Sequence, residues 1–456
     1  MKARFTILIK HALLPLVGGQ LTLLFLAASV NAQEQEVLPI TLEKVLELSG
    51  ANNLTIKEYK ERQNLAQAEV ARAKEWWLPE VYGGVRTQQL SGAVMNGNGN
   101  FFLDVKRNNL WLGLGVSANW NFTEGINTRK AVEYESQAST FRTEIERNKE
   151  LTKAINAYYN LVSAQLNLVA YKSLVIQSDT IILQIQIQLA AGLGYQSDLL
   201  LAQSNKRHLR VQMLNAQRDY NAASSDLRMQ LNLDQNIKLV SVDEALLPLD
   251  YSINLIDPAD SIHKNRPELK ANDLEIMSLR SRLKITTTGH WVPELGMGAN
   301  GSYYGRINGK VNPMDALAYP VTNQLYPTGT FNTSLIWKIP LGVWTYNGDS
   351  KKYNSLIRIK EIEAEHFKAQ INEEIALAIT QIQTGKEQIE IAKEGVELTT
   401  EALSQSMDRQ GLGTAKPFEV FQAQQFFLQA QIDYLQSVSE YNKAQFALKV
   451  AKGENL

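Results

Sequence analysis

The sequence predicts a mainly helical chain with a small β part: long helical hairpins, duplicated in tandem and packed as coiled coils, plus four strands. Three observations predict it. Landmarks recur in the same order at a nearly fixed offset. Two stretches in each copy carry apolar residues at every second position. Two proline-free runs of roughly sixty residues carry apolar residues at every seventh position.

The duplication is read from four pairs. Trp77-Leu78-Pro79-Glu80 recurs as Trp291-Val292-Pro293-Glu294, 214 residues on. Gly192-Leu193-Gly194 recurs as Gly411-Leu412-Gly413, 219 on. Ala202-Gln203 recurs as Ala423-Gln424 and Tyr220-Asn221 as Tyr441-Asn442, both at 221. Small loop insertions produce such drift. The domain boundaries expected are 1–32 for a signal segment, 33–231 for the first repeat, 232–256 for an inter-repeat segment and 257–456 for the second repeat.

Each copy opens with a helical stretch, 41–76 and 258–288, that stops at the proline of the Trp landmark. Strands follow. Leu110, Leu112, Leu114, Val116, Ala118, Trp120 and Phe122 alternate with Gly113, Gly115, Ser117, Asn119 and Asn121. Phe331, Thr333, Leu335, Trp337 and Ile339 alternate with Asn332, Ser334 and Lys338, and Leu295, Met297, Ala299, Tyr303 and Ile307 line one face of an earlier strand. Period two gives a sheet with two chemically different sides. Loops such as Asn96-Gly97-Asn98-Gly99-Asn100 and 308–329 separate the strands.

The long helices span 128–191 and 350–410, which at 1.5 Å per residue reach roughly 90–100 Å. Their heptad series are Ile155, Val162, Val169, Ile176, Leu183 and Ile375, Ile382, Ile389, Val396, Leu403. After each glycine turn a partner helix carries a large seam beside a smaller-residue one: Val420, Phe427, Tyr434, Tyr441, Leu448 beside Ala423, Ala430, Ser437, Ala444. Copy one has Leu199, Lys206, Met213, Tyr220, Leu227 beside Ala202, Leu209, Ala216, Ala223. Two short helices, about 36 and 35 residues, sum to about one long one, so they stack end to end beside it. Strands then lie at one extremity, glycine turns at the other, and 232–256 near mid-height.

Composition closes off several functions. The formal net charge of −1 gives no basic excess for nucleic acid. The chain has no cysteine, which excludes a disulfide scaffold, a cysteine metal site and a lipid-modified N-terminal cysteine. His208, His263, His290 and His366 are scattered, and neither a nucleophile elbow nor a phosphate-cradling loop occurs, so no enzyme, cofactor or metal is expected. Met1–Ala32 reads as a secretory signal, with Lys2, Arg4 and Lys10 before the apolar Leu21–Val30, and Val30-Asn31-Ala32 puts small or β-branched residues at the two positions that signal peptidase reads. Gly18-Gly19-Gln20 leaves its apolar run too short to span a bilayer. No later segment has some 18 consecutive apolar residues, so a membrane-spanning mature chain must use a closed β-barrel. Four strands cannot close one, since the smallest single-chain barrels use eight, but three chains would supply twelve. The alternative is a soluble periplasmic coiled-coil scaffold, which accounts for the helices and leaves the amphipathic strand pairs unexplained.

The duplicated Trp-x-Pro-Glu entries, the two tips Gly192–Leu199 and Gly411–Val420, and the trailing Ala-Gln and Tyr-Asn-x-Ala positions resemble those of TolC-family outer-membrane efflux proteins, over essentially the whole mature length. The resemblance implies a homotrimer with a twelve-stranded barrel in outer-membrane lipid and a helical tunnel in the periplasm. It implies a passive conduit for a periplasmic adaptor and an inner-membrane pump.

Two candidate sites follow. Gly192, Leu193, Gly194, Gly411, Leu412 and Gly413 form the distal surface of the hairpins, where an adaptor would dock; an ordinary helix–helix turn closed by glycine is the plainer alternative. Asp198, Glu419, Gln422 and Lys416 are the tunnel-mouth candidates. By resemblance Glu419 stands where family members place an acidic ring, which would attract cations. Helix-dipole complementation explains Asp198 and Glu419 equally. The next gate position is Gln422 instead of a second acid, and the family's basic residue is replaced by Ala415 with Lys416 adjacent. Copy two is expected to have the longer post-turn segment, Thr414 to Glu419 against Tyr195 to Asp198, and that inequality is where gating and partner choice are expected.

Overall fold

The computed structural model describes residues 36–95, 98–249, 259–310 and 324–456. The signal segment, Asn96-Gly97, and parts of the inter-repeat segment and the 308–329 loop lie outside them.

Copy one begins with β1 (Glu36–Ile40), α1 (Leu42–Asn52) and α2 (Leu54–Lys74). The single helix expected over 41–76 is two, because Asn53 breaks it. Its side chain accepts the Ile56 N–H at 3.2 Å, capping α2, and donates to Glu150 Oε2 and the Gln230 carbonyl. An asparagine that caps one helix while tying down two others holds the break in place. The second expected helix also splits, into α5 (Ala259–Asn265) and α6 (Pro267–Thr288), with Pro267 at the first helical position. Arg266, at this break, is buried and bonds Glu268 at 2.9 Å, Glu374 at 3.1 Å and the Val450 carbonyl at 2.9 Å.

A 3₁₀ turn (Glu75–Trp77) delivers the chain into β2 (Glu80–Met95) and β3 (Phe101–Trp120). The Trp landmark has a local cause. Trp120 Nε1 donates to the Trp77 carbonyl at 2.7 Å, and Trp76 meets Phe122 edge-on at 5.8 Å. A Cβ at Gly125 would lie 2.2 Å from Trp76, so this glycine lets the helix pass the indole. Phe122, expected as the last strand residue, is instead the first of α3 (Phe122–Ala190), capped by the Asn121 side chain. In copy two β5 (Glu294–Lys310) and β6 (Leu325–Ile336) lead through a short turn, α7 (Gly342–Thr345), to α8 (Gly348–Gly411).

α3 has 69 residues and α8 has 64. α4 (Gln196–Gln230) and α9 (Pro417–Ala451) have 35 each. α3 contacts α1, α2 and α4, so two short columns lie against one long one. The copy-two heptad positions are buried or half-buried. In copy one only the upper part of the series holds. Ile155 and Val162 are buried, whereas Val169, Ile176 and Leu183 are exposed, and Leu174, Ser178, Ile181 and Ile185 replace them inside. The seam has turned to a neighbouring face, as a helix of 3.6 residues per turn does against a seven-residue pattern.

At mid-height a second sheet appears that the sequence did not reveal: β1 pairs in parallel with β4 (Ile237–Ser241). Around it lies a shared core including Ile40, Ile155, Val162, Leu227, Leu239, Val438 and Phe446. Tyr220 donates to the Leu239 carbonyl at 2.7 Å, and Gln165 brackets Ser241 through its N–H and carbonyl.

Near the strands, Glu275 of α6 is clamped between Arg142 of α3 and Lys360 of α8. Burial alone would raise its pKa; the two cations outweigh that and hold it below the usual carboxylate range. A depressed folded-state pKa contributes stability above the unfolded value and loses it as pH falls through the folded value. Acidification below about pH 4 should therefore lower the melting temperature, and Glu275→Gln should flatten that acid limb while costing about 1–2 kcal/mol at pH 7. Thermal unfolding monitored by circular dichroism across pH checks both.

Candidate functional site

Two features leave large apolar side chains exposed: the tips of the hairpins and one face of the long sheet.

The tips are a pair. After α3, Gly192 takes φ +75°, its N–H bonds the Leu189 carbonyl at 3.0 Å and the Leu193 N–H bonds the Gln188 carbonyl at 2.9 Å. After α8, Gly413 takes φ +75°, its N–H bonds Gln410 at 3.0 Å and the Thr414 N–H bonds Arg409 at 2.8 Å. Both are Schellman closures around a left-handed glycine. The equivalent of Gly192 is thus Gly413, 221 residues on, and not Gly411. The two Gly-Leu-Gly strings look alike but sit two residues out of step: Leu193 follows its left-handed glycine, whereas Leu412 precedes one. Three residues then separate each glycine from the next helix, 193–195 and 414–416. The expected inequality of the two mouth segments is therefore absent. The offset of 221 runs unbroken from the tips through Ala423-Gln424 and Tyr441-Asn442, and the seven-residue drift from 214 arises between Glu294 and the tips.

Leu193 is 81% exposed and Leu412 is 80%. Tyr195 and Phe418 are exposed beside them. Asp198 and Glu419 occupy matching third positions of α4 and α9. Glu419 accepts the Lys416 N–H at 3.3 Å and pairs with Arg409 at 3.4 Å, so within one chain it caps its helix. Gln422 and Lys416 are exposed. The two hairpins meet through Gln188, which donates to the Gln410 carbonyl at 2.7 Å, and through a core of Leu174, Ile181, Ile185, Leu403, Val420 and Phe421.

At the other end β2, β3, β5 and β6 form one antiparallel sheet in that order. The register aligns Val85, Leu112, Tyr303 and Pro327 in one row and Val81, Val116, Ala299 and Phe331 in another. Val81, Val85, Leu114, Tyr303, Phe331 and Leu335 on this face are exposed. The opposite face carries Arg86, Asn109, Ser117, Asn300, Ser302 and Thr328, with Asn300 bonded to Thr330 and Ser302 to Thr328. Ile307 sits at a bulge, which interrupts the alternation expected there. Among the described residues the outer edges of β2 and β6 are unpaired. No cluster of metal-ligating residues occurs among the described residues.

Residues 259–454 match the outer membrane efflux protein family. No curated protein matches the chain. Among solved structures, the Campylobacter jejuni CmeC outer membrane channel is similar at 16% identity and a TM-score of 0.76, covering 90% of this chain and 85% of its own. The Vibrio cholerae outer membrane protein VceC is similar at 16% identity and 0.70, covering 91% and 96%. The open state of the Neisseria gonorrhoeae MtrE outer membrane channel is similar at 14% and 0.71, covering 91% and 89%. At these identities the likeness is one of fold.

The tip register is directly testable. Gly192→Ala and Gly413→Ala should each cost about 1 kcal/mol, because both force an L-residue to positive φ. Gly411→Ala should be neutral or slightly stabilising, since that residue is helical with only Gln184 Nε2 nearby, at 3.6 Å. Thermal melts of the three variants decide it, and equal losses at 411 and 413 would contradict the register.

Proposed function

We infer the working assembly from one premise: the chain belongs, through residues 259–454, to the outer membrane efflux protein family. It is an outer-membrane efflux channel with a large periplasmic helical part. The observation that carries the assembly is the sheet. Four long strands expose a continuous apolar face and leave both edges unpaired. Such a face suits hydrocarbon, and an open edge does not. Three copies, each lending its β6 edge to the β2 edge of the next, close a twelve-stranded barrel with the Asn, Ser and Arg face inside.

The helices support the same symmetry. Val169, Ile176 and Leu183 on α3, and Ile391 and Leu398 on α8, are exposed at seven-residue spacing. A heptad stripe left open by its own chain fits a helix of the next. The result is a passive conduit, open at the sheet end and narrowed at the tips, that accepts cargo from a periplasmic adaptor and an inner-membrane pump.

The tips are the docking surface for the adaptor. Leu193, Tyr195, Leu412 and Phe418 give it an apolar centre, the composition that carries binding energy at interfaces. Glu419 and Asp198, brought together by three-fold symmetry, form the acidic ring of the mouth. Glu419 does so while held by Arg409, which lowers the net field the ring presents.

Leu193→Asp with Leu412→Asp should abolish crosslinking to the adaptor while heat-modifiable trimers persist on a gel; undiminished crosslinking would remove the docking assignment. Glu419→Gln should reduce cation selectivity of single channels in planar bilayers, and an unchanged reversal potential would assign Glu419 to helix capping only. A chain found wholly in the soluble periplasmic fraction would favour the scaffold alternative.

A further inference from the structure

The two strand-to-helix junctions are unlike. In copy one a single residue separates Trp120 from α3, and Phe122 is tucked against Trp76. In copy two the segment 337–347 intervenes between β6 and α8. It contains the one-turn α7 and ends at Asn347, whose φ of +46° sets the chain off in a new direction. Tyr346 and Asn347 N–H groups both bond the Gly342 carbonyl, so the segment folds back on itself as a closed turn.

Closure does not bury its large side chains. Leu341 and Tyr346 are exposed, and Trp344 is 63% exposed. Trp337 is exposed too, and by alternation it prolongs the apolar face that runs through Phe331 and Leu335. Immediately after the turn, Lys351 and Lys352 are exposed in the first turns of α8, with no ion pair among the described residues; Asp349 is the nearby acid. An aromatic turn continuous with a hydrocarbon-facing sheet, followed at once by lysines, has the composition of a membrane–water interface: amphipathic rings at headgroup level and cations toward phosphate.

We propose that the 337–347 segment is a membrane foot. Leu341, Trp344 and Tyr346 lie in the headgroup region of the leaflet nearest the helices, and Lys351 and Lys352 reach its anionic phospholipids. Each chain contributes one foot, from copy two only. With no cysteine available for a lipid anchor, these feet fix the depth at which the barrel sits. The assignment rests on the sheet being in the bilayer, as proposed above.

The cysteine-free chain permits a clean test. Trp344→Cys, Leu114→Cys and Leu193→Cys, each in the full chain, are labelled with a nitroxide and reconstituted into vesicles of phosphatidylethanolamine and phosphatidylglycerol. Oxygen and a nickel chelate then compete as relaxants. Leu114 should read deep, Leu193 aqueous, and Trp344 between them, at the interface; Tyr346→Cys repeats the reading if a label at 344 disturbs folding. A label at 344 that matches Leu193, that reads as deep as Leu114, or that neither relaxant reaches because a neighbouring chain covers it overturns the foot. A Leu114 label that reads aqueous overturns the bilayer placement of the sheet itself, a separate failure.

Discussion

Unpaired strand edges are the constraint on which the rest of the structure depends. Every backbone N–H and C=O in hydrocarbon needs a partner, and among the described residues this sheet leaves two rows without one. Four strands per chain satisfy that demand only by sharing. Once the barrel is shared, the helices that continue from its strands must also stand in a ring, because α3 starts one residue after β3 ends. In the proposed assembly the tube is thus a consequence of the sheet. The stripes of exposed apolar residues on α3 and α8 are the faces that the proposed ring would cover.

In the proposed trimer the duplication gives a nearly sixfold ring, and the departures of copy two from copy one are informative. At the tips the copies agree closely: both close with a left-handed glycine and both restart a helix three residues later. They differ in side chains, Leu193-Gly194-Tyr195 against Thr414-Ala415-Lys416. At the sheet end they differ in backbone, since only copy two carries the intervening turn before its long helix. Variation in chain path is therefore confined to the sheet end, whereas the tips are geometrically uniform and varied by chemistry.

Much of this was legible in the sequence because it is periodic. Alternation located the strand faces, and proline-free heptads located the long helices, since both patterns report directly on burial. The features that escaped are those set by single residues or distant pairing. Asn53 breaks a helix through hydrogen bonds to Glu150 and Gln230, neither of which is near it in sequence. β1 and β4 are short and pair in parallel across nearly the whole first repeat. The lower copy-one heptads look like core but face outward, because periodicity reports that a face is apolar and not which neighbour covers it. At the tips, two identical Gly-Leu-Gly strings invited alignment with each other; only φ reveals that Gly192 corresponds to Gly413. The later landmarks already carried a hint, because they all sit at 221.

Closure of the barrel between chains is the central claim, and covalent trapping tests it most directly. A cysteine replacing Thr333 on β6 is combined in turn with cysteines at 81–87 on β2, and each variant is oxidised in membranes. One register should give a covalent trimer as the largest product on a denaturing gel. Monomers at every register, or a ladder extending beyond three chains, would contradict the account.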